Sequence, residues 1–470
     1  MKGNSQKKED LLSYIRNGQE LTAKQKLLLV AKLSAPAIMA QLTSIAMQYI
    51  DASMVGRIGA NASAAIGLVS TTTWLFGGVC SAGSAGFSIQ VAQYIGAKKY
   101  DKAKGILRQA LVAVLLFSVG LALLGALISF GLPGWLGGAK EIRSQATSYF
   151  LVYACALPAV GLNRLAGSML QCSGNMKIPS ILNSLMCVLD VIFNAFFIFP
   201  GFEISFLGVV LRVPGAGLGV LGAAIGTALA ELVTVSLMLY FLCFRSQILR
   251  LHLGESFRMQ GDCIKKAVKL SMPIAFEHCV VCGAMIMATK IVAPLGIVAI
   301  AANSFAITAE SLCYMPGYGI ADAATTLTGQ SVGAERKKLA LSFGKITVGF
   351  GMFLMACSGA LMYFAAPFMI GILTPDPEVQ TLGIMILQIE AFAEPLYGAS
   401  IVVTGVLRGA GDTFIPSIMN FVSMWAVRLP LSYFLAKPYG LVGVWIAMAI
   451  ELCFRGTIFL IRLVRKKWLK

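Results

Sequence analysis

Twelve runs of 20 or more mostly apolar residues follow one another along the 470-residue chain, near 28–52, 62–93, 105–131, 146–172, 178–200, 217–244, 266–293, 297–330, 343–372, 379–407, 414–436 and 440–461. An α-helix rises about 1.5 Å per residue, so about 20 apolar residues cross the roughly 30 Å hydrocarbon core of a bilayer. Lipid offers backbone N–H and C=O groups no partner, which makes the helix the spanning element for runs of this length. The expected fold class is an all-α polytopic membrane protein with twelve transmembrane helices. Composition agrees, with 57% hydrophobic residues, 13% charged residues and 48 glycines.

The polar first 26 residues lack the apolar core of a signal peptide, so the N-terminus is expected to stay cytoplasmic and the first span to direct insertion. Counted on that topology, 28 of the 38 Lys and Arg fall on the N-terminal side and only Arg57, Lys140, Arg143, Arg212 and Lys437 on the other. This asymmetry predicts both termini in the cytoplasm of a plasma or inner membrane. It also explains the net charge of +17 as topology signals and excludes a nucleic-acid reading. The eleven cysteines lie mostly within spans and show no paired extracellular spacing. No disulfide framework is expected, and Cys279-x-x-Cys282 reads as helix filler, since no second ligand pair accompanies it.

Slid against itself, the chain matches at an offset of 237 without a gap from residue 33 to residue 183. Leu33-Ser34-x-Pro36 falls on Leu270-Ser271-x-Pro273, Gly59 on Gly296, Gln93-x-x-Gly96-Ala97 on Gln330-x-x-Gly333-Ala334, and Pro158 on Pro395. Ile178-Pro179-Ser180-Ile181-x-Asn183 falls on Ile415-Pro416-Ser417-Ile418-x-Asn420. Six spans per half is an even number, so both copies enter from one side and are related by a pseudo-two-fold along the membrane normal, as in transporters that rock two halves about a central site. The expected divisions are a cytoplasmic tail over 1–27, a first lobe over 28–244, a cytoplasmic linker over 245–265, a second lobe over 266–461 and a tail over 462–470. Pro36 and Pro273 each remove a hydrogen bond inside the first helix of a half and are candidate hinges.

Asp51-x-x-Met54-Val-Gly-x-x-Gly59, Gln93-x-x-Gly-Ala97, Gly329-Gln330-x-x-Gly-Ala334, Leu407-Arg-Gly-Ala-Gly-Asp-Thr413 and Trp425-x-x-Arg-Leu-Pro430 together resemble the multidrug and toxic compound extrusion (MATE) family, from about residue 28 to 460. The resemblance implies a V-shaped pair of six-helix lobes. It also implies export of organic, often cationic, compounds coupled to inward H+ or Na+ flow. In that family a first-helix aspartate faces an Asn-x-x-x-Asp pair on the fifth helix. Asp51 matches the first, whereas the fifth helix here reads Asp190-Val-Ile-Phe-Asn194, with carboxylate and amide exchanged. Glu277 is similar to the seventh-helix glutamate of some branches.

Charged residues at membrane depth are costly and usually functional. In the first half Asp51, Asp190 and Asn194 form the candidate cation-coupling group. Two ionised carboxylates in one low-dielectric cavity repel, which favours proton capture, while Gln41, Gln48 and Asn194 are available as hydrogen-bonding neighbours. The second half has Ala288 where the first has Asp51, but carries its own acids, Glu277, Glu310, Glu390 and Glu394, as candidate substrate or ion ligands. Glu390 and Glu394 are four apart and are expected to share a helix face. His278, Lys290 and Asp322 are secondary candidates, Lys290 as a salt-bridge counter-ion to these acids. Arg408 and Asp412 sit at a turn where a structural pairing is expected.

These features predict an alternating-access antiporter, H+ favoured and Na+ possible, that exports small amphipathic, mostly cationic organic compounds as a monomer in the bilayer. It would need no cofactor and no metal beyond a possible Na+. The 21 methionines and 27 phenylalanines supply the adaptable surface such cavities use. A lipid-linked precursor flippase of related fold is the alternative. An enzyme is not expected, with two histidines and no HExxH or GxSxG.

Overall fold

The structure is a computed structural model that describes residues 11–206, 209–252 and 260–469, with backbone alone for strand residues 202–214. Residues 253–259 of the expected linker, and residues 1–10 and 470 of the expected tails, lie outside the described residues.

A short helix, α1 (Leu11–Asn17), precedes the spans. The first lobe comprises α2 (Ala23–Gly56), α3 (Ala60–Gly96), α4 (Tyr100–Ser129), the one-turn α5 (Leu132–Trp135), α6 (Lys140–Cys172), α7 (Lys177–Ile198) and α8 (Val220–Tyr240). The second comprises α9 (Gly261–Val292), α10 (Ile297–Gly333), α11 (Lys337–Leu373), α12 (Pro377–Ala391), α13 (Glu394–Gly409), α14 (Phe414–Val422) and α15 (Leu429–Val464). Between α7 and α8 the strands β1 (Gly201–Phe206) and β2 (Val209–Pro214) pair antiparallel, Gly201 opposite Pro214 and Phe206 opposite Val209. The apolar-run pattern does not foresee this hairpin, which lies between the fifth and sixth runs.

Ten described helices are long and apolar enough to cross a membrane singly, and α12 with α13, bent by 58° at their junction, makes another span. The stretch Phe414–Val464 has 51 residues, which at 1.5 Å each would reach about 77 Å, more than twice the hydrocarbon thickness. It does not run straight. Gly440 takes a left-handed backbone (φ 59°, ψ −138°), and a Cβ on Gly443 would overlap the Leu435 carbonyl, a proximity that eight residues of straight helix could not give. The chain turns back there, and the spans number twelve.

The halves share backbone detail as well as sequence. Gly59 and Gly296 (φ 138° and 103°), Lys98 and Glu335 (57° and 59°), and Gly174 and Gly411 (94° and 88°) are left-handed pairs at the repeat offset. Lys98 and Glu335 are not glycines, so the strained turn after α3 was duplicated with its cost.

The pseudo-two-fold axis runs through the seam between lobes. Gln93 Nε2 donates to the Gly409 carbonyl at the end of α13 (3.3 Å), and its copy Gln330 donates to the Cys172 carbonyl at the end of α6 (2.7 Å). Gly96 lies on the Gln330 carbonyl and Gly333 on the Gln93 carbonyl, each so close that a Cβ could not fit. Small residues let α3 and α10 cross backbone to backbone, as membrane helices do where lipid gives no hydrophobic drive between them. The first helix of each half leans across the seam, α2 onto α10 and α9 onto α3; Gly86 N donates to Ser271 Oγ (3.0 Å) and Tyr49 Oη to the Thr308 carbonyl (2.7 Å).

At the face that carries both termini, α1 straddles this seam. Leu12 and Ile15 pack with Met176 of the first lobe and with Leu327 and Phe343 of the second. Arg336 Nη1 donates to the carbonyls of Tyr14 (3.1 Å) and Gln19 (2.9 Å), tying the C-terminal end of the short helix and the turn after it to the second lobe.

Candidate functional site

Asp51 lies five residues before the end of α2, and Asp190 and Asn194 lie one turn apart on α7, so helix spacing presents both to α2. The amide of Asn194 bridges the carboxylates: Nδ2 donates to Asp51 Oδ1 (3.0 Å) and to Asp190 Oδ2 (3.1 Å). Asp51 and Asp190 also stand within hydrogen-bond reach of each other, and Thr227 of α8 lies beside Asp190. Gly226 of α8 makes room, since a Cβ there would overlap Asn194 Oδ1. Asp190 is sealed from solvent and Asn194 nearly so, yet Asp190 Oδ1 and Asn194 Oδ1 have no partner. Of the three amides expected near Asp51, only Asn194 bonds to it among the described residues. The exchange of Asp and Asn along the fifth span leaves the amide in the bridging position.

The second-half acids do not form one group. Glu277 on α9 accepts from Arg408 Nη2 (3.0 Å), Ser417 Oγ (3.1 Å) and Asn420 Nδ2 (2.8 Å), which ties α9 to α13 and α14. Arg408 therefore pairs with Glu277 and not with the neighbouring Asp412, whose partner is Arg462. The local turn suggested the first pairing, but α9 and α15 bring closer partners. Asp322 on α10 stands at the seam, close enough to Arg408 and to Arg164 of α6 to interact electrostatically. His278 reaches across to the first lobe, its ring over Gly78, where any side chain would collide with Nδ1. Lys290 is exposed near the end of α9 and makes no ion pair among the described residues, which corrects its expected role as counter-ion. Its position turns it away from the acids.

Glu310, Glu390 and Glu394 are buried in the second lobe, close enough to act on one another electrostatically. Glu390 ends α12 and Glu394 starts α13, so the expected shared helix face is interrupted by the 58° bend. The two remain neighbours across the break. Both are fully buried, and none of their four carboxyl oxygens has a hydrogen-bond partner. Three charged residues to which the sequence reading gave no site role surround them. Arg455 holds Glu451 in a bidentate pair (2.8 and 2.8 Å), Ser423 Oγ also bonds Glu451, and Arg428 lies near Glu310 and Glu390. Glu451-x-x-x-Arg455 inside an apolar run carried the signal: opposite charges at helical spacing. Glu231 and Asn163 of the first lobe, bonded at 2.7 Å, were also missed.

Two separate carboxyl clusters thus flank a seam that carries charge of both signs. Each can hold a proton or a cation; of the helices that present them, α2, α7, α10, α12 and α13, α2, α10 and α13 meet the opposite lobe.

Against known proteins, the MatE family matches residues 36–196 and 273–434, one match in each half. A Thermotoga maritima relative named "Probable multidrug resistance protein NorM" is 26% identical over 450 residues, covering 93% of this chain and 92% of its own length. "Uncharacterized transporter YisQ" of Bacillus subtilis is 21% identical over 426 residues, 90% of this chain and 91% of its own. Among solved structures, one titled "Outward-facing conformation of a multidrug resistance MATE family transporter of the MOP superfamily" superposes with a TM-score of 0.87 at 18% identity, over 97% of this chain and 99% of that one. The Vibrio cholerae MATE transporter VcmN "in the bent form" gives 0.84 at 18% identity, over 94% and 97%.

Proposed function

The chain belongs to the MatE family, and from that premise we propose that it is an alternating-access antiporter that exports small amphipathic, mostly cationic organic compounds against an inward flow of protons. The observation that carries the coupling is the single Asn194 amide shared by Asp51 and Asp190. Two carboxyls within hydrogen-bond reach are compatible only when one holds a proton. With both ionised, unit charges 4 Å apart repel by about 4 kcal/mol at an effective dielectric of 20. Moving a two-state equilibrium from 1:99 to 99:1 takes about 5.5 kcal/mol, so this pair is of the right order to bias the lobes.

Protonation draws α2 toward α7, and deprotonation releases it, with Pro36 as the point of bending. The crossing of α3 and α10 then has to part for the termini face to open. In the second lobe, Glu310, Glu390 and Glu394 offer negative charge to a cationic substrate. Substrate and proton drive exchange because each favours a different state. The relatives named above support a multidrug reading. The flippase alternative calls for a basic cavity, and Glu277 and Asp322 beside Arg164 and Arg408 do not supply one.

Purified protein in liposomes with imposed H+ or Na+ gradients tests this reading. A pH gradient is expected to drive export of a cationic dye, and Asp51→Asn to reduce that export at least about tenfold. Equal export by the mutant, or driving by Na+ alone, would refute proton coupling at this pair.

A further inference from the structure

One buried acid stands outside both clusters. Glu231 lies on α8 one turn beyond Thr227, so the two side chains share a helix face. Gly226, next to Thr227, lies against Asn194 Oδ1 of α7, and Asp190, one turn from Asn194, is close enough to Glu231 to act on it electrostatically. Toward α6, Glu231 Oε1 accepts from Asn163 Nδ2 at 2.7 Å, and Oδ1 of that asparagine is buried without a partner. Glu231 is 6% exposed, almost sealed.

The next residue along α6 opens the path. Arg164 is exposed and makes no ion pair among the described residues. Its charge acts on Glu231 on one side and on Asp322 and His278 of the opposite lobe on the other. The charged and titratable groups around Glu231 are thus Tyr153 and Arg164 on α6, Asp190 on α7 and Cys80 on α3. They place Glu231 between the Asp51–Asp190 pair and the space between the lobes.

We propose that Glu231 relays the coupling proton between Asp190 and that space. The inference rests on the antiporter reading and adds the route. In the step, the O–H bond on Asp190 breaks as one forms on Glu231, with the Thr227 hydroxyl taking one proton and giving its own, or with a water in that role. Glu231 then passes its proton to water at the seam. Asp190 and Glu231 end ionised, and Arg164 compensates the charge nearest the seam.

The test separates relay from scaffolding. Glu231→Gln keeps the hydrogen bond to Asn163 by its carbonyl oxygen but cannot carry a proton; Glu231→Asp can. In proteoliposomes without any pH gradient, exchange of labelled for unlabelled dye is expected within about twofold of wild type for Glu231→Gln. Its export under a pH gradient is expected to fall about tenfold or more, with Glu231→Asp recovering much of the loss and shifting the pH profile. Gradient-driven export at the wild-type rate in Glu231→Gln would overturn the relay. So would equal loss of exchange and driven export in both variants, which marks a packing role. A wild type indifferent to the pH gradient would remove the antiporter reading itself, a result visible before any variant is compared.

Discussion

Glu390 and Glu394 are buried to the last oxygen and bonded to nothing among the described residues, an arrangement that ionised carboxylates tolerate only at a cost of several kcal/mol each. They must be neutral or hold a cation, and a double replacement separates charge from shape. Glu390→Gln with Glu394→Gln is expected to leave the melting temperature unchanged or raised by about 2–4 °C. Its affinity for a cationic dye should fall by up to about a thousandfold, because a unit charge 4 Å away at an effective dielectric of 20 contributes about 4 kcal/mol and every 1.4 kcal/mol is tenfold. Calorimetry and dye binding read both; undiminished affinity would put the cation elsewhere. Asp51 was legible as a carboxylate at span depth, and Asp190 and Asn194 as a pair on one helix face; that the two helices face each other was implied only by the family resemblance. The partners of Glu277 were not legible, since Arg408, Ser417 and Asn420 come from two other helices whose rotation no local pattern fixes.

At the level of elements, the repeat predicted where helices begin and end, and α3 and α10 start and stop at matching positions. It did not predict where the copies part. Pro158 is carried inside an unbroken α6, whereas its copy Pro395 lies in the first turn of α13, after the chain has bent. A proline permits either outcome, and the neighbouring packing decides. The hairpin between α7 and α8 has no counterpart in the second half and left no periodic trace. The α3–α10 crossing gives a direct prediction. Gly333→Val would place a side chain on the Gln93 carbonyl and force the seam apart. Cys172, buried beside it, should then react with a maleimide several times faster, as peptide mapping would show. An unchanged Cys172 rate would mean that the crossing yields without opening.

For the whole molecule, an even number of spans puts both ends of the chain on one face, and from the 28-to-5 split of basic residues we propose that this face is cytoplasmic. Alkaline phosphatase fused after residue 469 is expected to be inactive, and inserted between β1 and β2 to be active; the reverse pattern would invert the protein in its membrane. The seam carries a further meaning. Gln93 and Gln330 reach the same carbonyl position on opposite halves, so each half treats the other as its own copy would be treated. That is the signature of an isologous contact, in which one patch serves both partners. The geometry is what a homodimer of a six-span chain would have had before its two genes became one. The interiors of the halves differ, Asp51 in one and Ala288 in the other, while a change at the junction in either half has to be met by the half it touches.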